Sequence, residues 1–140
     1  MVALFSSFRR ATARVAVALV LCLSVLLTSC GTDSYGLTGN YVNDTVAVAD
    51  ALLTTVAIAA DDPGRGEAES QARGLINDYM ARYRPQSAFN GLSSFTTMQT
   101  ALNSLAGHYT NYPNRPVPEA LKDRVSKELR KAETAASRGA

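Results

Sequence analysis

Cysteine is almost absent from this chain. Two occur in 140 residues, Cys22 and Cys30, and Cys22 lies inside an apolar run near the N-terminus. That excludes a disulfide-stapled scaffold and a thiolate metal site. There is one histidine, His108, and no tryptophan. With a lone His and no clustered carboxylates at helical spacing, no donor set for a transition metal emerges. Glycine-rich phosphate loops are missing as well. Ser87, Ser93, Ser94 and Ser104 have no base partner in the pattern. His108, next to Tyr109, reads as a capping or surface residue rather than a catalyst. Asp61-Asp62 ahead of Pro63-Gly64 reads as a helix stop, since an EF-hand loop needs six or more spaced oxygen ligands. The chain is therefore expected to be no enzyme and to carry no metal and no cofactor.

A large charge of one sign is also lacking, with 14 basic residues against 12 acidic ones. Arg9, Arg10 and Arg14 precede an apolar run from Val15 to Leu27. Thirteen residues are too few for a transmembrane helix, which needs about 20, but suit the h-region of a secretory signal. Leu27-Thr28-Ser29-Cys30 follows and resembles a bacterial lipobox, where the thiol takes a diacylglycerol and becomes the new N-terminus. An uncleaved anchor and a cut without lipid are the competing readings; the four residues ending in Cys30 favour lipidation. Residues 1–29 are thus expected to be a lipoprotein signal peptide and Cys30 the lipid attachment site.

Cleavage there leaves 111 residues, enough for one domain and too few for two. Loss of the three arginines takes the basic count from 14 to 11 against 12 acidic residues, a net charge of −1. The basic balance of the precursor therefore gives no support for nucleic-acid binding. Residues 30–42 read as a flexible tether, with Gly31, Gly36 and Gly39 among small polar residues. Ten such residues span roughly 17 Å.

Beyond the tether, residues 43–140 show four amphipathic segments with helical spacing. The first spans 43–60 on Val42, Val46, Ala49, Leu53, Val56 and Ala60, widened by Val48 and Leu52, with Asn43 or Asp44 as N-cap. The second spans 66–84 on Ala68, Ala72, Leu75 or Ile76, Tyr79 and Tyr83, and ends at Pro85. The third spans 94–109 on Phe95, Met98, Leu102, Leu105 and Tyr109. Gly107 is unfavourable inside it, which predicts either a close neighbouring backbone or an early helix end. The fourth starts at Pro118 on Leu121, Val125, Leu129, Ala132 and Ala136. Its other face is dense in charge, with Asp123 and Lys127 spaced to pair. No stretch alternates long enough for a strand. The expected fold is all-α, an up-down-up-down four-helix bundle.

Arg73, Asn77, Asp78 and Arg82 crowd the second helix. They read either as an intramolecular network or as a polar docking face, where Arg and Tyr are favoured.

Several strings carry a resemblance. They are Gly36-Leu-Thr-Gly-Asn-Tyr41 after the lipobox, Ala72-Arg73-Gly74, Ile76-Asn77-Asp78-Tyr79, Arg82-Tyr83-Arg84, the run from Ser94 to Tyr109, and Arg115-Pro116-Val117-Pro118. Together they closely resemble the cyanobacterial photosystem II assembly lipoproteins of the Psb twenty-seven type, over nearly all of the mature chain. The resemblance implies a small right-handed four-helix bundle, lipid-anchored through Cys30 on the lumenal side of the thylakoid membrane. It implies binding to photosystem II assembly and repair intermediates, chiefly the lumenal loop of the forty-three-kilodalton inner antenna protein. Binding would precede completion of the manganese cluster and end when the extrinsic lumenal subunits dock. It implies no enzymatic activity and no cofactor. Arg73, Asn77, Asp78, Arg82 and Arg115 match the family's polar positions and become the expected partner contacts. The free protein is expected to be a monomer. The alternative is a general envelope lipoprotein with a structural or small-ligand-binding role, which the alanine-rich stripes argue against.

Overall fold

Four long helices and one short one account for most of residues 36–139, the part that the computed structural model describes. Cys30, the signal segment and the start of the tether lie outside the described residues. Among the described residues there is no strand, and the architecture is all-α.

Helix α1 runs Tyr41–Val56. Its N-cap is Asn40, three or four residues ahead of the expected caps, and the Asn40 side chain accepts from the Asn43 N–H at 3.0 Å. The helix stops short of Ala60, in a tightened turn where the Ile58 N–H reaches the Thr55 carbonyl at 3.2 Å. The Asp62 side chain then accepts from the Gly64 N–H at 2.7 Å, fixing the turn into α2, Arg65–Tyr83. A short helix α3, Ser87–Asn90, bridges to α4, Ser93–Asn111. Pro118 is the N-cap of α5, Glu119–Ser137. On α5 the ion pairs are Glu119–Lys122 and Arg124–Glu128, not Asp123–Lys127.

The long helices close a ring in which α1 packs on α2, α2 on α4, α4 on α5 and α5 on α1. Side-chain bonds fix the alternating direction. Tyr41, at the start of α1, bonds Ser94 at the start of α4. Thr45 meets Tyr79 near the end of α2. Arg65, at the start of α2, reaches the Asn114 carbonyl just past the end of α4. One pole thus gathers the starts of α1 and α4, the end of α2, and α3. The far pole gathers the end of α1, the starts of α2 and α5, and the loop after α4.

Each helix turns an apolar stripe inward. Ala72, Ile76, Tyr79 and Tyr83 of α2, Phe95, Met98, Leu102, Leu105 and Tyr109 of α4, and Val125, Leu129, Ala132 and Ala136 of α5 are buried, as their spacing predicts. On α1 the buried face is Tyr41, Asp44, Thr45, Val48, Ala49, Leu52 and Val56. Val42 instead faces solvent. The stripe is rotated from the expected one because two polar residues take core positions. Gly107 has neither expected explanation. Helix α4 continues past it, an added Cβ would meet nothing within 4 Å, and nothing in the structure accounts for the glycine.

Candidate functional site

The pole at the start of α1 is held by a buried carboxylate. Asp44 is 1% exposed. Its Oδ1 accepts from the Thr38 N–H at 2.8 Å and the Thr38 hydroxyl at 2.7 Å. Its Oδ2 accepts from the Gly39 N–H at 2.9 Å and from the Tyr83 hydroxyl. Burial pushes this carboxyl up, but the bonds from Tyr83, Thr38 and Gly39 outweigh it and hold the carboxyl below its ordinary value. The last residues of the expected tether are therefore a latch. Leu37 is buried, and Gly39 sits at φ +83°, a conformation only glycine adopts without cost.

Aromatic rings seal the same pole. Phe89 of α3 stacks on Tyr41 with centroids 4.3 Å apart, and Tyr83 meets both rings edge-on. Below them the Thr45 hydroxyl donates to the Tyr41 carbonyl at 2.7 Å. Its single proton is thereby used, so Tyr79 is the donor in the 2.7 Å bond between the two hydroxyls. Burial raises the Tyr79 phenol well above its ordinary value, so it stays neutral.

The far pole is organised by Arg65 and His108. Arg65 bonds Glu69 at 2.8 Å, the Ala60 carbonyl at 3.1 Å and the Asn114 carbonyl at 3.2 Å. His108 is buried, not a surface residue, and its Nε2 lies 3.1 Å from the Arg115 carbonyl. A carbonyl only accepts, so the Nε2–H donates. Beside this brace lies an open concavity of about 340 Å³, with Ile58, Ala59, Val117 and Lys122 in its wall. The Tyr109 hydroxyl, close by, is buried with no hydrogen-bond partner among the described residues. Burial, with the Glu69 charge adding to it, pushes its phenol up to about 12. Tyr109→Phe is expected to raise stability by about 1 kcal/mol, because it deletes an unsatisfied buried group. Urea unfolding at neutral pH checks this; a loss of stability would mean that the hydroxyl has a bonded role.

The expected contact residues do not form one face. Arg73 and Asn77 are exposed, and Asp78 and Arg82 are half-buried. At about 100° per residue, Arg73 and Arg82 point about 180° apart around α2. Arg73 acts on Tyr109 of α4, whereas the Arg82 guanidinium lies 3.2 Å from where a Cβ on Gly39 would sit. The pair Arg73–Asn77 thus flanks α4, and Asp78–Arg82 flanks the latch. Arg115 is exposed at the far pole. Sequence reasoning missed Asp44, Thr38 and Ser94 as a polar lock. The visible signal was an acid in the first turn after Thr-Gly-Asn.

No group of three or more potential metal ligands occurs among the described residues, and no helix there is long and apolar enough to cross a membrane. The fold and its two poles define a helical bundle pinned at one pole by the buried Asp44 carboxylate and braced at the other by Arg65 and His108. The family model described as Photosystem II Pbs27 matches residues 2–135, and the chain belongs to that family. It is 50% identical over 123 residues to the photosystem II assembly factor lipoprotein Psb27 of Thermosynechococcus vestitus, covering 88% of this chain and 92% of that protein. It is also 50% identical over 122 residues to the photosystem II lipoprotein Psb27 of Synechocystis, covering 87% and 90%. Among solved structures, the solution structure of Psb27 from cyanobacterial photosystem II matches at TM-score 0.73 and 51% identity, over 80% of this chain and 96% of that one. The crystal structure of PSB27 from Arabidopsis thaliana matches at TM-score 0.69 and 35% identity, over 71% and 98%.

Proposed function

We propose that this chain is a non-enzymatic assembly and repair factor of photosystem II. One observation carries the reading: a relative named as a photosystem II assembly factor is 50% identical over 88% of this chain. Cys30 carries the lipid and holds the bundle on the lumenal side of the thylakoid membrane. The free protein is a monomer. It docks on the lumenal loop of the inner antenna protein in immature complexes and acts by occupancy. While bound, it keeps extrinsic subunits off until the manganese cluster matures. Arg73, Asn77, Asp78, Arg82 and Arg115 are the proposed contacts. Because they lie on two flanks and at a pole, a partner must wrap the bundle to reach all five. The anchor raises the local concentration at the membrane, so modest intrinsic affinity suffices.

The test is affinity capture from detergent-solubilised photosynthetic membranes, with the full acylated chain tagged at its C-terminus. Enrichment of antenna-containing complexes lacking the extrinsic subunits is the expected result. Equal recovery of finished complexes would make the protein a resident subunit instead. Cys30→Ser is expected to move the protein from the membrane to the soluble fraction and to weaken retention on the complex. Undiminished membrane retention of that variant would overturn the anchor.

A further inference from the structure

All three lysines of the chain, Lys122, Lys127 and Lys131, lie on α5. With Arg124, Arg130 and Arg138 they set six basic residues against four acidic ones over residues 119–138. Residues 36–118 have the opposite balance, five basic against seven acidic. Rotation about the helix then sorts the charges on α5. At about 100° per residue, Arg124, Lys127, Arg130, Lys131 and Arg138 fall within an arc of about 120°, opposite the buried stripe of Val125, Leu129, Ala132 and Ala136. All five are exposed, and Asp123 is the one acid on that arc. Glu128 and Glu133 are half-buried at its flanks, and Glu119 pairs with Lys122 beside the far-pole concavity. Arg124 is tied to Ser104 of α4 at 2.8 Å, whereas Lys127, Arg130, Lys131 and Arg138 form no ion pair among the described residues.

This arrangement works against the helix's own stability. Lys127 is three residues from Arg130 and four from Lys131, and like charges at those spacings repel across the helix surface. A surface of opposite charge would offset that repulsion. What the arc lacks says which kind of surface. Of the residue types that anchor protein interfaces only Arg is present; α5 has no Tyr, Trp, Phe or Met, and Lys is depleted at such interfaces. No large apolar side chain lies on the arc, so it rests against a surface without entering it. The row from Arg124 to Arg138 is about 21 Å long and follows one straight helix. Several Lys and Arg residues on one helix face suit a bilayer with anionic headgroups, whose charge is spread rather than placed.

We infer that the outward face of α5 is an electrostatic contact for anionic lipid headgroups. Each Lys or Arg held near such a surface strengthens adsorption about fivefold. Screening confines the attraction to about 8 Å at physiological ionic strength, so the helix lies along the headgroups for all its charges to act. Helix α2 is diagonally across the ring from α5, so its polar residues stay free while α5 faces lipid. The inference goes beyond the proposed function: none of the contacts proposed there lies on α5, and the face needs no acyl chain to act.

Amine footprinting of the full chain tests this, because every lysine is on α5 and the reporters are already in place. Acetylation of Lys127 and Lys131 is followed by mass spectrometry on mixed phosphatidylglycerol–phosphatidylcholine vesicles and on pure phosphatidylcholine vesicles. Lys122, half-buried and off the arc, is the internal reference. On the anionic vesicles Lys127 and Lys131 are expected to react at least about fivefold more slowly relative to Lys122, and about 1 M salt is expected to abolish the protection. Arg130→Ala with Arg138→Ala keeps both reporters. That variant is expected to weaken the vesicle contact at least about tenfold while melting like the native protein, since both sites are exposed. Equal protection on both vesicle types would mean that tethering alone brings α5 near the bilayer, and overturns the inference; unchanged protection in the double variant does the same. Protection by detergent-solubilised photosystem II complexes but not by anionic vesicles would make the face a protein contact and overturn it too. Capture of the photosystem by the native chain is read separately, so failure of the assembly-factor reading and failure of the lipid contact are told apart.

Discussion

Asp44→Asn is expected to destabilise the bundle by about 2–4 kcal/mol and to release the strap at residues 37–39. The carboxylate takes four donors in an almost fully buried site. An amide keeps one oxygen and turns an NH₂ towards donors, so at least one N–H or hydroxyl loses its partner. Bonds to a charged acceptor contribute more than neutral ones, which is why this exchange outweighs most single changes. The pH dependence follows from the direction of the shift. The folded carboxyl sits below its ordinary value of 3.8, so its contribution is fully present above the unfolded value and is lost as pH falls through the folded one. The native protein is expected to lose this part of its stability only below about pH 4, and Asp44→Asn to flatten the acid limb. Chemical denaturation from pH 7 to pH 3, with amide exchange at Thr38 and Gly39, reads both effects. Native stability in the variant at pH 7 would show that the latch is decorative. Faster exchange at those two amides with global stability unchanged would confine the role of Asp44 to the strap.

The same residue shows where sequence reading ends. Helices α2, α4 and α5 were legible because their buried positions are apolar and repeat every three or four residues. Leu102, Leu105, Val125 and Leu129 could be placed on the core from spacing alone. Helix α1 was legible as a helix but not in rotation, since Asp44 and Thr45 occupy its inner face. Hydropathy places such residues outside. What brings them inside is Tyr83, 39 residues away, and Tyr79, 34 residues away. Partners that distant leave no periodic trace. The residues before Tyr41 were read as strap because glycine and small polar residues suit one; two backbone N–H groups bound to a carboxylate turn that composition into a fixed turn. The candidate contacts on α2 were legible as residue types. That they divide between two flanks follows from helical rotation, which needed only the number of residues between Arg73 and Arg82. The loop after α4 showed its prolines and Arg115, but its brace depends on Arg65 and His108, which come from α2 and α4.

Leu129→Ala is expected to cost about 3–5 kcal/mol, a large loss for a single truncation. Leu129 is fully buried near the middle of α5, and α5 packs against both α4 and α1. Leu129 therefore lies on the inward face of the helix that two of the four helix interfaces share. Truncation removes the transfer term and leaves a cavity that three helices must close together. Relaxation is limited on both sides, since Leu102 and Leu105 on α4 and Val48 and Leu52 on α1 are themselves fully buried. For a body of about 100 residues, each 1 kcal/mol lowers the midpoint by about 4–8 °C, so a shift of at least about 12 °C is expected. Thermal unfolding by circular dichroism measures it, with Lys127→Ala on the solvated face of α5 as the control expected within about 0.5 kcal/mol of native. A shift under about 5 °C would mean that the seam collapses around the smaller side chain, and that α5 is held by its polar face more than by its stripe. The comparison also separates folding from docking. Well below its lowered midpoint, Leu129→Ala should still present Arg73 and Arg115 on a folded bundle and capture the photosystem normally. Arg115→Glu, at an exposed proposed contact, should weaken capture while melting like the native protein.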